Sequence, residues 1–237
     1  MPSRTGVEFV DTLTQKWDIH HWVRGGCLYG VMPANGLVYA PPHNCACYPE
    51  AKLYGFNALA AANEDRLPPA PEDIDNESRL QRGPAYNEPL APLDDEARLA
   101  DWPTYRHDNA RSGSSPSEGP AALDAAWQTE LGGRLSAVTV ADGRLYVSQV
   151  DAHTLHALDA ISGDKLWRFT AGGRIDSPPT IHQGRVLFGS ADGYVYSLRA
   201  TDGALVWRFR GAPTDRRLMA MEQLESVWPV HGSVLIE

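Results

Sequence analysis

The stretch 156–169 reads HALDAISGDKLWRF, and the stretch 196–209, forty residues further along the chain, reads YSLRATDGALVWRF. Trp127, Trp167 and Trp207 stand at the same interval of 40 residues. A fixed interval of this length indicates a structural repeat in which each unit packs against its neighbours. The question that the two phrases raise is whether they carry chemistry or architecture.

Short runs of branched and aromatic residues alternate with turn residues inside each unit. The runs RLYVSQV, LHALDA and KLWRFT are followed by RVLFGS, YVYSLRA and ALVWRF, and all of them have the composition of half-buried strands. Ala-Asp-Gly at 141–143 and again at 191–193 supplies residues that tolerate positive φ in tight turns. A unit of roughly forty residues with about four strands corresponds to one blade of a β-propeller. The sequence therefore predicts an all-β protein with four-stranded propeller blades.

The repeats divide the chain into three predicted regions. Residues 101–237 hold two blades and the start of a third at Ser226, so we expect an incomplete ring of about two and a half blades. Residues 1–60 resemble a degenerate blade remnant, and residues 61–100 form an acidic, proline-rich linker. We expect the insertion at 210–225 to be a long loop or a short helix. The missing blades predict that the sequence is a piece of a longer protein.

The charge balance excludes some partners. The chain has 30 acidic and 21 basic side chains, a formal charge of -9, which would repel a nucleic-acid backbone. No run of residues is long and apolar enough for a membrane span, and the start, MPSRTGVEFVD, lacks the apolar core of a signal peptide. We therefore expect neither a nucleic-acid partner nor a membrane span.

The phrase around Trp167 resembles the tryptophan-docking motif of the pyrroloquinoline quinone (PQQ)-like β-propeller repeat, A-x-D-x-x-[ST]-G-x-x-x-W. The second copy is looser because Arg199 replaces the aspartate. The resemblance implies that each tryptophan packs between neighbouring blades, and that Gly and Asp shape the turn before its strand. The residues expected to dock blades are Trp127, Ala157, Asp159, Gly163, Trp167, Ala200, Gly203 and Trp207. Multi-propeller proteins of bacterial cell envelopes are the most similar in detail.

The resemblance leaves two functions open. Cofactor-free relatives act as scaffolds or binding platforms, whereas quinoprotein dehydrogenases hold PQQ and Ca²⁺ beside a disulfide between adjacent cysteines. Cys45-Ala46-Cys47 is not an adjacent pair, and no catalytic carboxylate can be assigned to a position in this sequence. We therefore expect a non-catalytic scaffold of the periplasm or cell envelope without a cofactor, and a PQQ- and Ca²⁺-dependent dehydrogenase is the alternative. The expected partners are the missing blades or a protein that pairs with an open strand edge.

The three cysteines allow several interpretations. In an exported protein, Cys27 could form a disulfide with Cys45 or Cys47. Such a bond would pin the inserted stretch PPHNCACYPE, residues 41–50. The same cysteines with His43, and with His20 and His21 upstream, could form a zinc site, although zinc sites usually have pairs of cysteines separated by two residues and only one C-x-C is present. Cysteines without a role are the third possibility.

Overall fold

Strands make up almost all the regular structure of the chain. The computed structural model describes residues 2–3, 6–42, 53–62, 69–70, 73–89, 101–119, 121–220 and 222–236. The strands of the N-terminal half are β1 (Pro2–Ser3), β2 (Gly6–Asp11), β3 (Lys16–His20), β4 (Met32–Ala34), β5 (Leu37–Ala40), β6 (Asn57–Ala60) and β7 (Leu80–Arg82). Those of the C-terminal half are β8 (Thr139–Ala141), β9 (Arg144–Gln149), β10 (Thr154–Asp159), β11 (Lys165–Thr170), β12 (Thr180–His182), β13 (Arg185–Gly189), β14 (Tyr194–Arg199), β15 (Leu205–Arg210), β16 (Arg217–Ala220) and β17 (Gln223–Ser226).

A short helix, α1 (Asn76–Arg79), precedes β7. The side chain of Asp75 caps it by accepting hydrogen bonds from the backbone N–H groups of Glu77 and Ser78. Within the described part of the chain, no helix has the length and apolarity needed to cross a bilayer.

Two antiparallel sheets with the same topology form the repeat. Strands β8 to β11 follow one another in space to make the first blade, and β12 to β15 do the same in the second blade. The register between the third and fourth strands shifts after Ala157 in the first blade and after Ser197 in the second, forty residues later. This shared irregularity shows that the sequence repeat is a repeat of backbone geometry, and it confirms the predicted all-β propeller class.

The first hairpin of each blade has a turn of two residues with positive φ. Asp142 and Gly143 have φ of 52° and 68°, and Gln183 and Gly184 have φ of 47° and 73°. Turns with positive φ at both central residues match the right-handed twist of the strands they join. The Ala-Asp-Gly turn at 141–143 that the sequence indicates therefore closes the first hairpin of the first blade, and Gln183-Gly184 closes that of the second.

One hydrophobic core runs through both blades. Phe188 and Tyr196 of the second blade stack at a centroid distance of 5.1 Å and an interplanar angle of 3°. Phe169 of β11 contacts both rings edge-on, at 6.3 Å and 5.7 Å. Since such offset and edge-on ring pairs add to the burial of apolar area, this aromatic group holds the two sheets together.

Two segments outside the blades cover their inner strands. The backbones of Trp102 and Val140 exchange two hydrogen bonds, and the N–H of Ile181 donates to Pro103 O at 2.8 Å. The segment before the first blade therefore touches the innermost strand of both blades. Past β17, the N–H of Val230 donates to Ser190 O at 3.1 Å.

The outermost strand of the second blade has an additional partner. Strand β7, from the region predicted to be a linker, pairs antiparallel with β15 and makes this sheet five-stranded. The prediction for the insertion at 210–225 was wrong, because β16 and β17 pair as a two-stranded sheet. Alternating side chains over these few residues are too short a signal to separate a strand from a loop.

The remaining strands form two three-stranded antiparallel sheets, β1-β2-β3 and β4-β5-β6. Their shared core contains Val7, Val23 and Ala40, with Val31 and Leu59 packed against it. The chain divides into two compact units, Met1–Pro68 with Leu218–Leu224 and Pro69–Arg217 with Glu225–Glu237. The domain boundaries at residues 60 and 100 remain predictions from the sequence.

A buried histidine lies in the middle of the first blade. His156 of β10 is 8% exposed, and its Nε2 lies 3.2 Å from Oε1 of Gln149 on the neighbouring strand. Burial lowers the pKa of His156, and the charges of Lys165 and Arg168 lower it further. The folded blade therefore resists protonation of this ring.

Replacing His156 with glutamine should reduce the loss of stability in mild acid. The unfolded chain takes up a proton near a pKa of about 6.5, so protonation favours unfolding of the wild type as the pH falls through that value. Urea unfolding at about pH 7.5 and pH 5.5 should show a smaller decrease for His156→Gln than for the wild type. The matched control is His182→Gln on the exposed side of β12, which should keep the wild-type decrease. Equal decreases for the wild type and His156→Gln would contradict the prediction.

Candidate functional site

Trp127, which precedes the first blade, and Trp167, in the last strand of that blade, each contact the following blade through the same hydrogen bond. Nε1 of Trp127 donates to Ala160 O at 3.1 Å, and Nε1 of Trp167 donates to Ala200 O at 3.0 Å. Donor and acceptor are 33 residues apart in both cases. Trp207, the third of the series, lies half-buried in β15. The bond gives a partly buried indole N–H a partner and fixes the direction of the ring.

The same tryptophan rings lie against glycines in the last turn of the next blade. Gly163 and Gly203 have φ of +77° and +74°, in the left-handed region. A Cβ at Gly163 would lie 2.5 Å from Cε3 of Trp127, and one at Gly203 would lie 2.5 Å from Cε3 of Trp167. Both the backbone angle and the contact distance therefore require glycine.

Asp159 shapes the turn that presents Gly163. Its Oδ1 accepts hydrogen bonds from the N–H groups of Ser162 and Ile161, both at 2.9 Å. These bonds from Ser162 and Ile161 lower the pKa of the Asp159 carboxyl. The carboxylate thus stabilises the turn in its ionised form.

The second blade closes its turn with a different residue. Arg199 occupies the place of the motif aspartate and donates to Oδ2 of Asp202 at 2.6 Å. Oδ1 of Asp202 accepts from the N–H of Ala204 at 3.1 Å. The looser second copy of the motif therefore keeps a carboxylate in the turn, three residues further along the chain.

The structure changes which alanines correspond. Ala157 is fully buried and lies opposite Trp167 in the ladder, but its counterpart in the second blade is Ser197. Ala200 corresponds instead to Ala160, and the carbonyls of these two residues accept the tryptophan hydrogen bonds. Sequence reasoning missed Ala160, although its spacing of forty residues from Ala200 was a usable signal.

A charged cluster lies on the turns at one end of the two blades. Nε of Arg174 donates to Oε1 of Glu225 at 2.7 Å, and the side chains are 10% and 5% exposed. Nη1 of Arg174 also lies 3.5 Å from Oδ1 of Asp176, whose Oδ2 lies 2.6 Å from Nδ1 of His231. An ion pair at this depth stabilises only while both partners are present, because removing one leaves an uncompensated buried charge.

The charged cluster also has an exposed part, formed by an arginine forty residues before Arg174 in the sequence. Arg134 corresponds to Arg174, and its Nη2 lies 3.0 Å from Oδ1 of Asp151 and 3.8 Å from Oδ1 of Asp176. The hydrogen bond from Arg134 lowers the pKa of Asp151. Because Arg134 and Asp151 are 17 residues apart, no local motif in the sequence indicates this pair.

Asp192, the counterpart of Asp151 in the second blade, is buried and accepts hydrogen bonds from both backbone and side-chain donors. Asp192 is 2% exposed and accepts from the N–H of Gly172, from the N–H of Tyr194 and from Oη of Tyr196 at 2.5 Å. Burial and the Asp192 carboxylate raise the pKa of Tyr196 to about 12. The hydroxyl therefore stays protonated and donates to the carboxylate.

His, Cys, Asp and Glu side chains are the candidate ligands for a metal ion in the described part of the chain. No group of three or more His, Cys, Asp and Glu side chains there is arranged to hold a metal ion. Cys45, Cys47 and His43 lie outside the described residues. Cys27 is exposed, and its Sγ accepts from Nη2 of Arg24 at 3.3 Å. We therefore assign no residue to PQQ or Ca²⁺, and the predicted disulfide remains a prediction.

Comparison with known proteins identifies the repeat. Residues 114–229 match the family model described as outer membrane protein assembly factor BamB. The chain is 32% identical over 96 residues to BamB of Burkholderia pseudomallei (strain K96243), which covers 40% of this chain and 25% of the relative. It is 31% identical over 70 residues to BamB of Moranella endobia (strain PCIT), covering 30% of this chain and 18% of the relative. The chain thus spans a quarter or less of these curated relatives.

A solved structure of another activity also matches. The quinohemoprotein alcohol dehydrogenase of Comamonas testosteroni is 26% identical with a TM-score of 0.41, over 48% of this chain and 20% of that one. Four-stranded blades joined by tryptophan-glycine contacts define a β-propeller of the quinoprotein type. The blades are of the PQQ-like β-propeller type, and residues 114–229, just under half of the chain, carry the match to the family model.

Replacing Gly203 with alanine should destabilise the second blade by about 2–4 kcal/mol, from left-handed backbone strain and overpacking together. The new Cβ would have to displace the ring of Trp167. Gly143→Ala is the matched control, because Gly143 has φ of 68° but no atom within 4 Å of the new Cβ. Urea unfolding should give a larger loss for Gly203→Ala, and equal losses would show that the indole contact adds no restraint.

Replacing Glu225 with alanine should cost about 3–5 kcal/mol, because Arg174 would remain buried without its carboxylate. The comparison is Glu77→Ala, which removes the exposed partner of Arg82 and should change the free energy of unfolding little. The double variant Arg174→Met with Glu225→Leu should recover much of the loss. A cost for Glu225→Ala as small as that for Glu77→Ala would contradict a buried ion pair.

Proposed function

We propose that this chain is part of a non-catalytic binding scaffold of the bacterial cell envelope. The observation that carries the proposal is the match of residues 114–229 to the family model of an outer membrane protein assembly factor. Both curated relatives bear the same description. Because the chain spans a quarter or less of their length, the role proposed is that of one contributing segment.

The geometry of the repeat supports a structural use of its signature residues. The indole N–H groups of Trp127 and Trp167 bind backbone carbonyls, and the carboxylate of Asp159 binds two backbone N–H groups. These polar groups therefore have partners within the fold and are not presented to a substrate. The blades act as a rigid support, and binding falls to their exposed edges and turns.

The proposed location follows from the same relatives. An outer membrane assembly factor works where envelope proteins are inserted, so we place this chain in the periplasm or at the envelope. The proposed partners are further blades of the propeller and envelope proteins that dock on exposed strands. The acidic character of the chain, with a formal charge of -9, suits protein partners better than nucleic acid.

The dehydrogenase alternative makes a different prediction and can be tested directly. The native full-length protein should be purified, supplied with PQQ and Ca²⁺, and examined for quinone absorbance and dye-linked alcohol oxidation. We expect neither a stoichiometric quinone signal nor oxidation, because no residue set for the group has been assigned. A stoichiometric quinone signal with alcohol oxidation would overturn the scaffold proposal.

The binding role has its own measurement. A photo-crosslinking amino acid at Ile161, a turn residue that is 85% exposed, should yield crosslinks to envelope proteins in intact cells. The same amino acid in place of the fully buried Tyr146 is the control and should yield none. Crosslinks confined to cytoplasmic proteins would contradict the proposed location.

A further inference from the structure

The outer edge of the second blade is already occupied by an extended segment of the chain. This edge segment, residues 79–88, pairs antiparallel with β15, placing Arg82 opposite Trp207, Gln81 opposite Arg208 and Leu80 opposite Phe209. Two further backbone hydrogen bonds follow, from Gly83 N–H to Val206 O at 2.8 Å and from Ala85 N–H to Leu205 O at 3.1 Å. In the second blade, an extended segment of the chain is therefore already added to the sheet as a fifth strand.

Side chains select this segment in addition to the backbone. Nε of Arg208 donates to Oε1 of Gln81 at 2.7 Å. At the far end of the segment, Glu88 forms an ion pair with Arg199. The second blade thus binds the amide of Gln81 through Arg208, and it binds the carboxylate of Glu88 through Arg199.

The first blade has the same edge, and no described residue pairs with it. Strand β11 carries Trp-Arg-Phe at 167–169, as β15 does at 207–209, and it is the terminal strand of its sheet. Leu166 is 46% exposed and Arg168 is exposed. Val206 presents its C=O to the N–H of Gly83 in the edge segment. Because backbone groups alternate in direction along an antiparallel strand, the N–H and C=O of Arg208, and those of its counterpart Arg168, point outward.

We propose that the outer edge of β11 binds an extended segment of a partner protein by adding it to the first blade as a fifth strand. The geometry points to a segment with Gln or Glu opposite Arg168 and Lys or Arg near Asp159. The second requirement comes from charge, since Asp159 stands where the second blade has Arg199, and an acidic residue like Glu88 would meet a carboxylate there. This partner class rests on the binding role proposed above and specifies where and how it is exerted.

One contact of the second blade has no equivalent here. Arg79 lies over the ring of Phe209 at 4.5 Å, whereas Phe169 is covered by Phe188 and Tyr196 of the next blade. The partner segment therefore gains no cation–π contact at this position. Its selectivity comes from Arg168 and Asp159, which both lie at the open edge of the first blade or beside it.

The probes are two fluorescent peptides, one with the sequence of residues 76–88 and one with the change Glu88→Lys. Fluorescence anisotropy with the whole purified chain should show tighter binding of the Glu88→Lys peptide, by about threefold, the size of an exposed charge contact. The chain variant Asp159→Arg should reverse this order, because it gives the first blade the arginine of the second. Equal binding of the two peptides to both forms of the chain would overturn the proposal.

Backbone pairing is tested by comparing Arg168→Pro with Arg168→Ala, because both variants lose the guanidinium and only the proline variant also loses the outward N–H. The proline variant should bind the Glu88→Lys peptide about tenfold more weakly than the alanine variant, the value of roughly one hydrogen bond with its neighbouring contacts. Leu123→Ser, a change at an exposed position before the first blade, should leave the affinity unchanged. Equal binding to Arg168→Pro and Arg168→Ala would mean that the peptide has exchanged with the edge segment on the second blade, which would overturn the proposal.

A variant that keeps every backbone group protects the test against misfolding. Arg168→Glu should weaken the Glu88→Lys peptide, and a peptide that also carries Gln81→Arg should restore binding. Absence of this rescue would count against the proposed register. The peptide assays do not depend on the cellular location. Crosslinks found only in the cytoplasm, together with weaker binding to Arg168→Pro than to Arg168→Ala, would overturn the proposed function and leave this inference standing.

Discussion

The contact between a tryptophan ring and a left-handed glycine is the constraint on which the rest of this structure depends. The ring of Trp167 occupies the space that a side chain at position 203 would need. The indole N–H of Trp167 donates to the carbonyl of Ala200. Ring and hydrogen bond together set the distance and rotation between one blade and the next. Once this is fixed, Phe169 meets the stacked rings of the second blade and the two sheets share one core.

The outer edges of the blades follow from the same arrangement. Packing face against face through the tryptophans buries the sheets but leaves the last strand of each blade with unpaired backbone groups. The chain covers one such edge with β7, drawn from a region whose acidic, proline-rich composition has little apolar surface of its own. A segment of this composition cannot form a core of its own, and it becomes ordered by pairing with an existing sheet. The region predicted to be a linker therefore also contributes a strand to a blade.

The charged residues stabilise the turns in pairs. The guanidinium groups of Arg134 and Arg174 stand forty residues apart and face carboxylates from different parts of the chain. The buried pair ties β17 to the second blade, while the exposed pair lies in the first. This end of the blades therefore offers a partner mostly neutralised charge, and the unpaired strand edge is the stronger candidate for recognition.

A good part of the candidate site could be predicted from the sequence, because its requirements are local. Glycine at 163 and 203 is demanded by a backbone angle, and the interval between Trp127 and Trp167 reports the repeat directly. Ala160 was missed because a carbonyl acceptor does not constrain the side chain, and only its interval of forty residues from Ala200 indicates its role. The insertion at 210–225 was misjudged because two strands of four residues each carry too little periodicity to be recognised.

The sequence by itself determined the all-β blades, their period and the residues of their turns, since each of these depends on the conformational preferences of neighbouring residues. Only the tertiary structure decided that Glu225 would neutralise Arg174, 51 residues away, and that residues 80–82 would pair with β15. Such contacts depend on how the sheets stack and where a distant segment finds free backbone groups. No short stretch of the chain determines the stacking of the sheets or the pairing of a distant segment. The phrase around Trp167 therefore specifies the blade architecture, whereas the open edge of β11 is recognised only in the folded structure.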